Sequence, residues 1–179
     1  MKRVLVIGCP CAGKTTFARK LAQQTGLPLL HLDTLFWRDG WQTVGQAEFD
    51  RLLQAELEKA QWIIDGNFSR TLPMRLSYCD TVIFLDVKRY QCMYRAFKRV
   101  FANYGKSRED MGGYCPEKLD REKWRFFKSI WQFKKEGRPK VYERLKAAPH
   151  AQVIVLKTNR DVRVFLANQR MGVVVAQDQ

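Results

Sequence analysis

Four short runs along the chain are apolar at nearly every position: Val4-Leu5-Val6-Ile7, Trp62-Ile63-Ile64, Val82-Ile83-Phe84-Leu85 and Val153-Ile154-Val155-Leu156. A strand with one wet face alternates apolar and polar residues, so unbroken runs predict strands covered on both faces. A weaker run, Leu29-Leu30-His31-Leu32, follows the turn Gly26-Leu27-Pro28 and predicts a fifth strand. Between the runs the apolar spacing becomes helical. Phe17, Ala18, Leu21 and Ala22 share one face of a helix over 15–24, and Phe49, Leu52, Leu53 and Leu57 share a face over 46–60.

Strand and helix in alternation predict a parallel sheet with right-handed crossovers, that is, a three-layer α/β/α domain with five parallel strands. The connection over 86–152 is too long for a simple crossover. It is expected to fold as a helical, lid-like insertion at about 88–146 around the loop Asp110-Met111-Gly112-Gly113-Tyr114-Cys115-Pro116. The Gly112-Gly113 pair reads as a place for that loop to bend. The length of 179 residues and the 46% hydrophobic content fit one such domain over 1–179.

Gly8-Cys9-Pro10-Cys11-Ala12-Gly13-Lys14-Thr15 matches G-x-x-x-x-G-K-[ST], after a buried strand and at the start of an amphipathic helix. Its glycines let backbone N–H groups curl round a phosphate, and the helix N-terminus adds positive dipole. Lys14 can bridge the terminal phosphates, the Thr15 hydroxyl can ligate Mg²⁺, and Thr16 continues the nucleotide-binding segment. The expected ligands are ATP and Mg²⁺. Cys9 and Cys11 read as small fillers of the loop.

Asp65 closes the Trp62-Ile63-Ile64 run, at the end of a strand where ligands of open α/β sheets collect. There it can hold magnesium through water or cap a turn. Asn67 and Arg70 follow, and Arg70 can face an acceptor phosphate. Asp33 closes the weaker strand, where it can accept a proton from a substrate hydroxyl or serve as an N-cap. Trp37 and Trp41 can wall an acceptor pocket or cover the core, and His31 reads as a packing residue. Arg95 and Arg99 lie four apart on one helix face, placed to fold over triphosphate oxygens, and Arg138 could reach in with them. Trp124, Phe127 and Trp131, at helical spacing, read as core.

The net charge of +14 is concentrated: between Lys88 and Lys146 there are eighteen Lys/Arg and seven Asp/Glu, an excess of eleven positive charges. Such a surface attracts polyanions. It suits a lid closing on a polyphosphate, and it leaves a nucleic-acid-binding ATPase, gripping DNA with the insertion, as the alternative function. Five cysteines at scattered spacings with only two histidines suggest reduced thiols without disulfides or structural zinc. No apolar run approaches the roughly 18–20 residues of a membrane span, so a soluble cytoplasmic protein without a membrane partner is expected.

With these residues in view, the chain resembles the adenylate-kinase-like P-loop kinases, and most closely the group labelled DNA topology modulation proteins. The resemblance rests on the 8–15 loop, His31-Leu32-Asp33-x-Leu35-Phe36-Trp37, the stretch from Trp62 through Asp65-Gly66-Asn67-Phe68-Ser69-Arg70-Thr71-Leu72, and Asp80-Thr81-Val82-Ile83-Phe84-Leu85-Asp86. It extends through Cys115-Pro116-Glu117 to the last strand. Adenylate kinases carry Asp-Gly-Phe-Pro-Arg-Thr where this chain has Asp65 to Thr71 with one extra residue. That match implies Asp65 for magnesium and Arg70 for an acceptor phosphate, and the pair Arg95 and Arg99 is similar to the lid arginines of those enzymes. On the acceptor side the adenylate-kinase nucleotide-binding pattern is replaced by His31-Leu32-Asp33 and tryptophans. The implied activity is transfer of the ATP γ-phosphate to a small acceptor, a nucleotide or a hydroxylated metabolite.

Overall fold

A computed structural model describes residues 1–107 and 110–177, with side chains to residue 169. The main sheet comprises β1 (Arg3–Gly8), β2 (Leu29–His31), β5 (Trp62–Asp65), β6 (Thr81–Leu85) and β7 (Gln152–Leu156), and a two-residue hairpin adds β3 (Trp37–Arg38) and β4 (Gln42–Thr43). The helices are α1 (Lys14–Thr25), α2 (Leu32–Phe36), α3 (Gln46–Leu57), α4 (Leu72–Tyr78), α5 (Arg89–Ala102), α6 (Arg121–Gln132), α7 (Gly137–Lys146) and α8 (Asn159–Gln177). The sheet order is β2-β5-β1-β6-β7 and every pairing in it is parallel. The three-layer α/β/α architecture with five parallel strands is therefore present.

Alternate residues of the strands feed opposite layers. Val4, Val6, Ile63, Ile83 and Leu85 pack with Phe17, Ala18 and Leu21 of α1 and Leu166 of α8. Leu5, Ile7, Ile64, Val82 and Phe84 pack on the other face with Phe49, Leu53 and Leu57 of α3 and Leu72 and Leu76 of α4. That double cover is why β1, β5 and β6 read as unbroken apolar runs. β7 differs from the expectation: it is an edge strand whose first two residues, Gln152 and Val153, are exposed.

The long insertion divides between the two layers. α5 and α6 bury Cys92, Ala96, Val100, Phe127 and Ile130 in the core that α1 serves, whereas α7 sends Leu145 into the core on the far face. Its helices are thus built into the domain, and it is the segment between α5 and α6 that crosses the mouth of the sheet. That segment is pinned to the β3–β4 hairpin. Gly40 N–H donates to Tyr114 O (3.0 Å), Tyr114 N–H donates to Asp39 Oδ1 (2.6 Å) and Trp41 Nε1 donates to Pro116 O (3.0 Å). The glycine pair expected to act as a bend instead permits this close approach. A Cβ on Gly112 would collide with the carbonyl oxygens of Thr34 and Trp37, and one on Gly113 would lie 2.5 Å from Asp39 N.

A fully buried arginine orders the turn after β5. Arg75 donates to the carbonyls of Gly66 (2.9 Å), Asn67 (2.5 Å) and Phe68 (3.0 Å), and burial pulls its pKa down to about 9. Replacing Arg75 with Met should strand these carbonyls and cost about 3 kcal/mol or more of unfolding free energy. Lysine, with one compact head, cannot span all three and should recover only part of the loss. Urea denaturation of R75M and R75K checks both; parental stability in R75M would overturn the assignment.

Candidate active site

A cleft of about 1230 Å³ opens along the carboxyl ends of the strands, large enough for a nucleotide and a second small molecule together. Sheet order dictates its layout. The loop after the central strand β1 lies at its middle, α2 after edge strand β2 lies at one end, and α8 after edge strand β7 lies at the other. Lys14 and Thr15 line the middle; Asp33, Trp37 and Trp41 line the β2 end, and Asn159 and Val162 the β7 end.

The loop itself is shaped by two glycines. Gly8 has φ 151°, and a Cβ there would lie 2.5 Å from Leu85 O, because β6 runs alongside at this point. Gly13, at φ 98°, caps α1 and hands the chain into the helix. Ala12 N–H donates to Cys9 O (3.0 Å), and Lys14 Nζ donates to the carbonyls of Gly8 (3.3 Å) and Cys9 (3.2 Å). Cys9 is buried, and the adjoining Cys92 sulfur, then burial, push its thiol well above the ordinary range. Cys11 is half-buried on the cleft wall. All five cysteines are free thiols.

Asp65 is 5% exposed at the end of β5. Its Oδ2 accepts from the Thr15 hydroxyl (2.8 Å) and lies 3.1 Å from His31 Nδ1. Its Oδ1 is buried with no hydrogen-bond partner. A hydroxyl and a carboxylate with an unused oxygen are hard donors of the kind Mg²⁺ takes, and the side chains fit that ion. Among the described residues no group of three or more His, Cys, Asp or Glu could hold a metal, consistent with an ion that fills its remaining positions with phosphate oxygens and water. His31 is more than packing: the parallel register sets His31 opposite Asp65, so the ring orients the carboxylate.

Arg95 and Arg99 both line the cleft. Arg95 donates to Ala12 O in the phosphate loop (2.7 Å) and to Asn159 Oδ1 (2.8 Å). Arg99 lies over the Phe126 ring, with Nε 3.2 Å from Glu117 Oε1, an ion pair too poorly aligned to count as a hydrogen bond. The buried Glu117 also pairs with Lys123. Asn67 lines the cleft and its Oδ1 accepts from Gly8 N–H (3.1 Å), tying the β5 turn to the phosphate loop.

Two expected site arginines lie elsewhere. Arg70 points outward in a bidentate pair with Asp50 (2.8 and 2.6 Å), because the 3₁₀ turn after Phe68 aims it at α3. Arg138 is held by Asp86 (2.8 and 2.9 Å from Nε) at the start of the insertion and does not line the cleft. Residues not anticipated are Arg75, Glu117, Lys123 and Asn159. The first two were visible only as a charge in a short apolar helix and an acid in a basic tract.

No protein-family model matches this chain, and no curated protein sequence does. Solved structures do. A shikimate kinase from Bacteroides thetaiotaomicron aligns with a TM-score of 0.53 at 16% identity, covering 96% of this chain and 98% of that one. A shikimate kinase from Acinetobacter baumannii, in complex with shikimate, aligns at 0.58 and 15%, covering 99% and 95%. The likeness is one of fold. It extends end to end, and it agrees with the three-layer α/β/α fold with a five-stranded parallel sheet.

In the folded protein only Cys11 should react with iodoacetamide, with Cys9, Cys79, Cys92 and Cys115 protected by burial until denaturant is added. Peptide mapping after timed labelling checks this. Labelling of Cys9 at the Cys11 rate would mean the loop is open where it is described as packed.

Proposed function

We propose that the protein is a kinase that takes ATP with Mg²⁺ across the middle and β7 end of the cleft and transfers the γ-phosphoryl group to a hydroxyl of a small molecule held at the β2 end. The observation that carries this reading is the buried Asp65, hydrogen-bonded to Thr15 through one oxygen with the other unused, directly beside the phosphate loop. Mg²⁺ held there would neutralise charge on the β- and γ-phosphates. Lys14, resting on neutral carbonyls, can move to phosphate oxygens without breaking an ion pair. Arg95 and Arg99 supply positive charge where negative charge builds up on the transferring group. Asp33 takes the proton of the acceptor hydroxyl as its oxygen attacks phosphorus and ADP departs.

A hydroxyl acceptor is favoured over a phosphorylated one because the arginine expected to greet an acceptor phosphate, Arg70, is committed to Asp50 outside the cleft. The structural neighbours are kinases named for one small molecule, shikimate, which supports the same reaction class. On this reading the resemblance to DNA topology modulation proteins is one of scaffold and phosphate loop. No observation of the fold or the cleft favours the competing nucleic-acid-binding ATPase.

A screen of metabolites for ATP-dependent phosphorylation identifies the acceptor, and variants then test the roles. Lys14→Ala should abolish turnover. Asp33→Asn should lower kcat by about 10² or more while folding normally, the range for loss of a general base. Arg70→Ala should leave kcat within about twofold, as expected of an exposed pair remote from the cleft. An Arg70 variant that loses turnover would restore the phosphorylated acceptor.

Arg95→Ala and Arg99→Ala should each reduce kcat by on the order of 10² with a smaller change in ATP KM, since charge stabilisation acts on the transition state. Steady-state kinetics separate the outcomes. A rise in KM alone would make these arginines binding contacts.

A further inference from the structure

The outer face of the insertion carries a second apolar surface that the proposed kinase site does not use. On α5, Tyr90, Tyr94, Phe97 and Phe101 recur at helical spacing and are 62, 69, 38 and 69% exposed, on the side away from the buried Cys92, Ala96 and Val100. On the neighbouring α6, Trp124 and Trp131 are 62 and 45% exposed, so only Phe127 of the three aromatics expected in the core lies there. The two rows join: Tyr90 meets Trp131 at 5.6 Å and Phe97 meets Phe127 at 4.5 Å, with Trp124 a further 5.7 Å from Phe127. Isolated exposed rings are ordinary, but six in one continuous patch mark a surface that something covers.

The charges around the patch select the kind of partner. Residues 88–107 contain six Lys/Arg and no Asp or Glu. Exposed Lys88, Lys98, Arg125, Lys128, Lys134 and Lys135 frame the rings, and the one acid of α6, Glu122, is paired with Arg125. A second copy of so basic a face would be repelled. Tyr90 meets Trp131 and Trp124 meets Phe127 edge-on, and Arg89 covers a face of Trp131 at 4.2 Å, so both exposed tryptophans are engaged by neighbouring side chains rather than aligned as a stacking platform for bases. Tyr and Trp beside Lys and Arg on a broad helical face are the composition of a surface that sits in the headgroup layer of a bilayer. Among the described residues no helix is long and apolar enough to cross a membrane, so attachment would be peripheral. We infer that the α5–α6 face docks on an anionic lipid surface, its rings entering the interface and its cations pairing with lipid phosphates.

The test is sedimentation of the full chain with vesicles of phosphatidylcholine alone, or with about one third phosphatidylglycerol, combined with tryptophan quenching by lipids brominated on the acyl chain. Binding should require the anionic lipid, weaken with salt, and bring quenching that falls in a Trp124→Phe, Trp131→Phe variant. Tyr94→Ser with Phe101→Ser, both exposed and away from the cleft, should weaken vesicle binding about tenfold or more at unchanged melting temperature. The inference is overturned by absence of binding to the anionic vesicles, or by equal binding to neutral ones. It is equally overturned by binding without quenching, as simple charge attraction or nucleic acid in its place would give, or by self-association that the serine variant abolishes.

Discussion

The buried carboxylate of Asp65 is the constraint around which the site is arranged. A carboxylate with 5% exposure is costly unless it is met by polar partners, and the fold brings partners from two elements, Thr15 of α1 and His31 of β2. The parallel register sets Asp65 beside Val6 on β1 and His31 on β2, so the strand ends deliver the imidazole and start the phosphate loop at the same level. Thr15, one residue into α1, closes over the carboxylate from above. The chain must then leave this crowded corner at once. Gly66 does so at φ 147°, where a Cβ would come within 2.9 Å of Leu32. Arg75 takes the three carbonyls of the exit turn, and Asn67 in that turn holds Gly8. The 8–15 loop and the Asp65 corner therefore share one hydrogen-bonded frame.

The insertion solves a different problem, an excess of positive charge beside the cleft. Part of that charge is engaged internally, Arg99 and Lys123 with Glu117, Arg138 with Asp86 and Arg144 with Ser69 O, and the last two contacts join elements remote in sequence. The surfaces of α5 divide by helix face. On α5 the residues toward the cleft are Arg95 and Arg99, those toward the core are small or aliphatic, and those toward solvent are aromatic. One helix thus carries three unlike surfaces.

Much of the frame was legible in the sequence because it is written locally. β1, the phosphate loop and α1 occupy one continuous stretch, and Asp65 declares itself by ending a buried run. The residues that were misjudged depend on partners far along the chain. Arg70 and Arg138 were read as free to reach the site, but Asp50 and Asp86, 20 and 52 positions away, claim them. Arg75 looks like any arginine on a short helix until the turn after β5 is seen to fold onto it. Periodicity put Trp124, Phe127 and Trp131 on one side of α6, but it does not say how far round that side the core extends. The double glycine could be read as a hinge or as a close approach, and only the hairpin opposite decides between them.

That hairpin gives the acceptor end of the cleft its character. Trp37 and Trp41, which pack edge to face at 5.2 Å, form its wall, and the same few residues bind the loop between α5 and α6 through Gly40, Asp39 and the Trp41 indole. The loop continues directly into Glu117, which pairs with Arg99. A change at the tryptophan wall is therefore connected through about three contacts to an arginine that lines the cleft, with no long-range wire required. In such an arrangement a molecule that fits between the tryptophans and the insertion would steady the hairpin, the loop and Arg99 together.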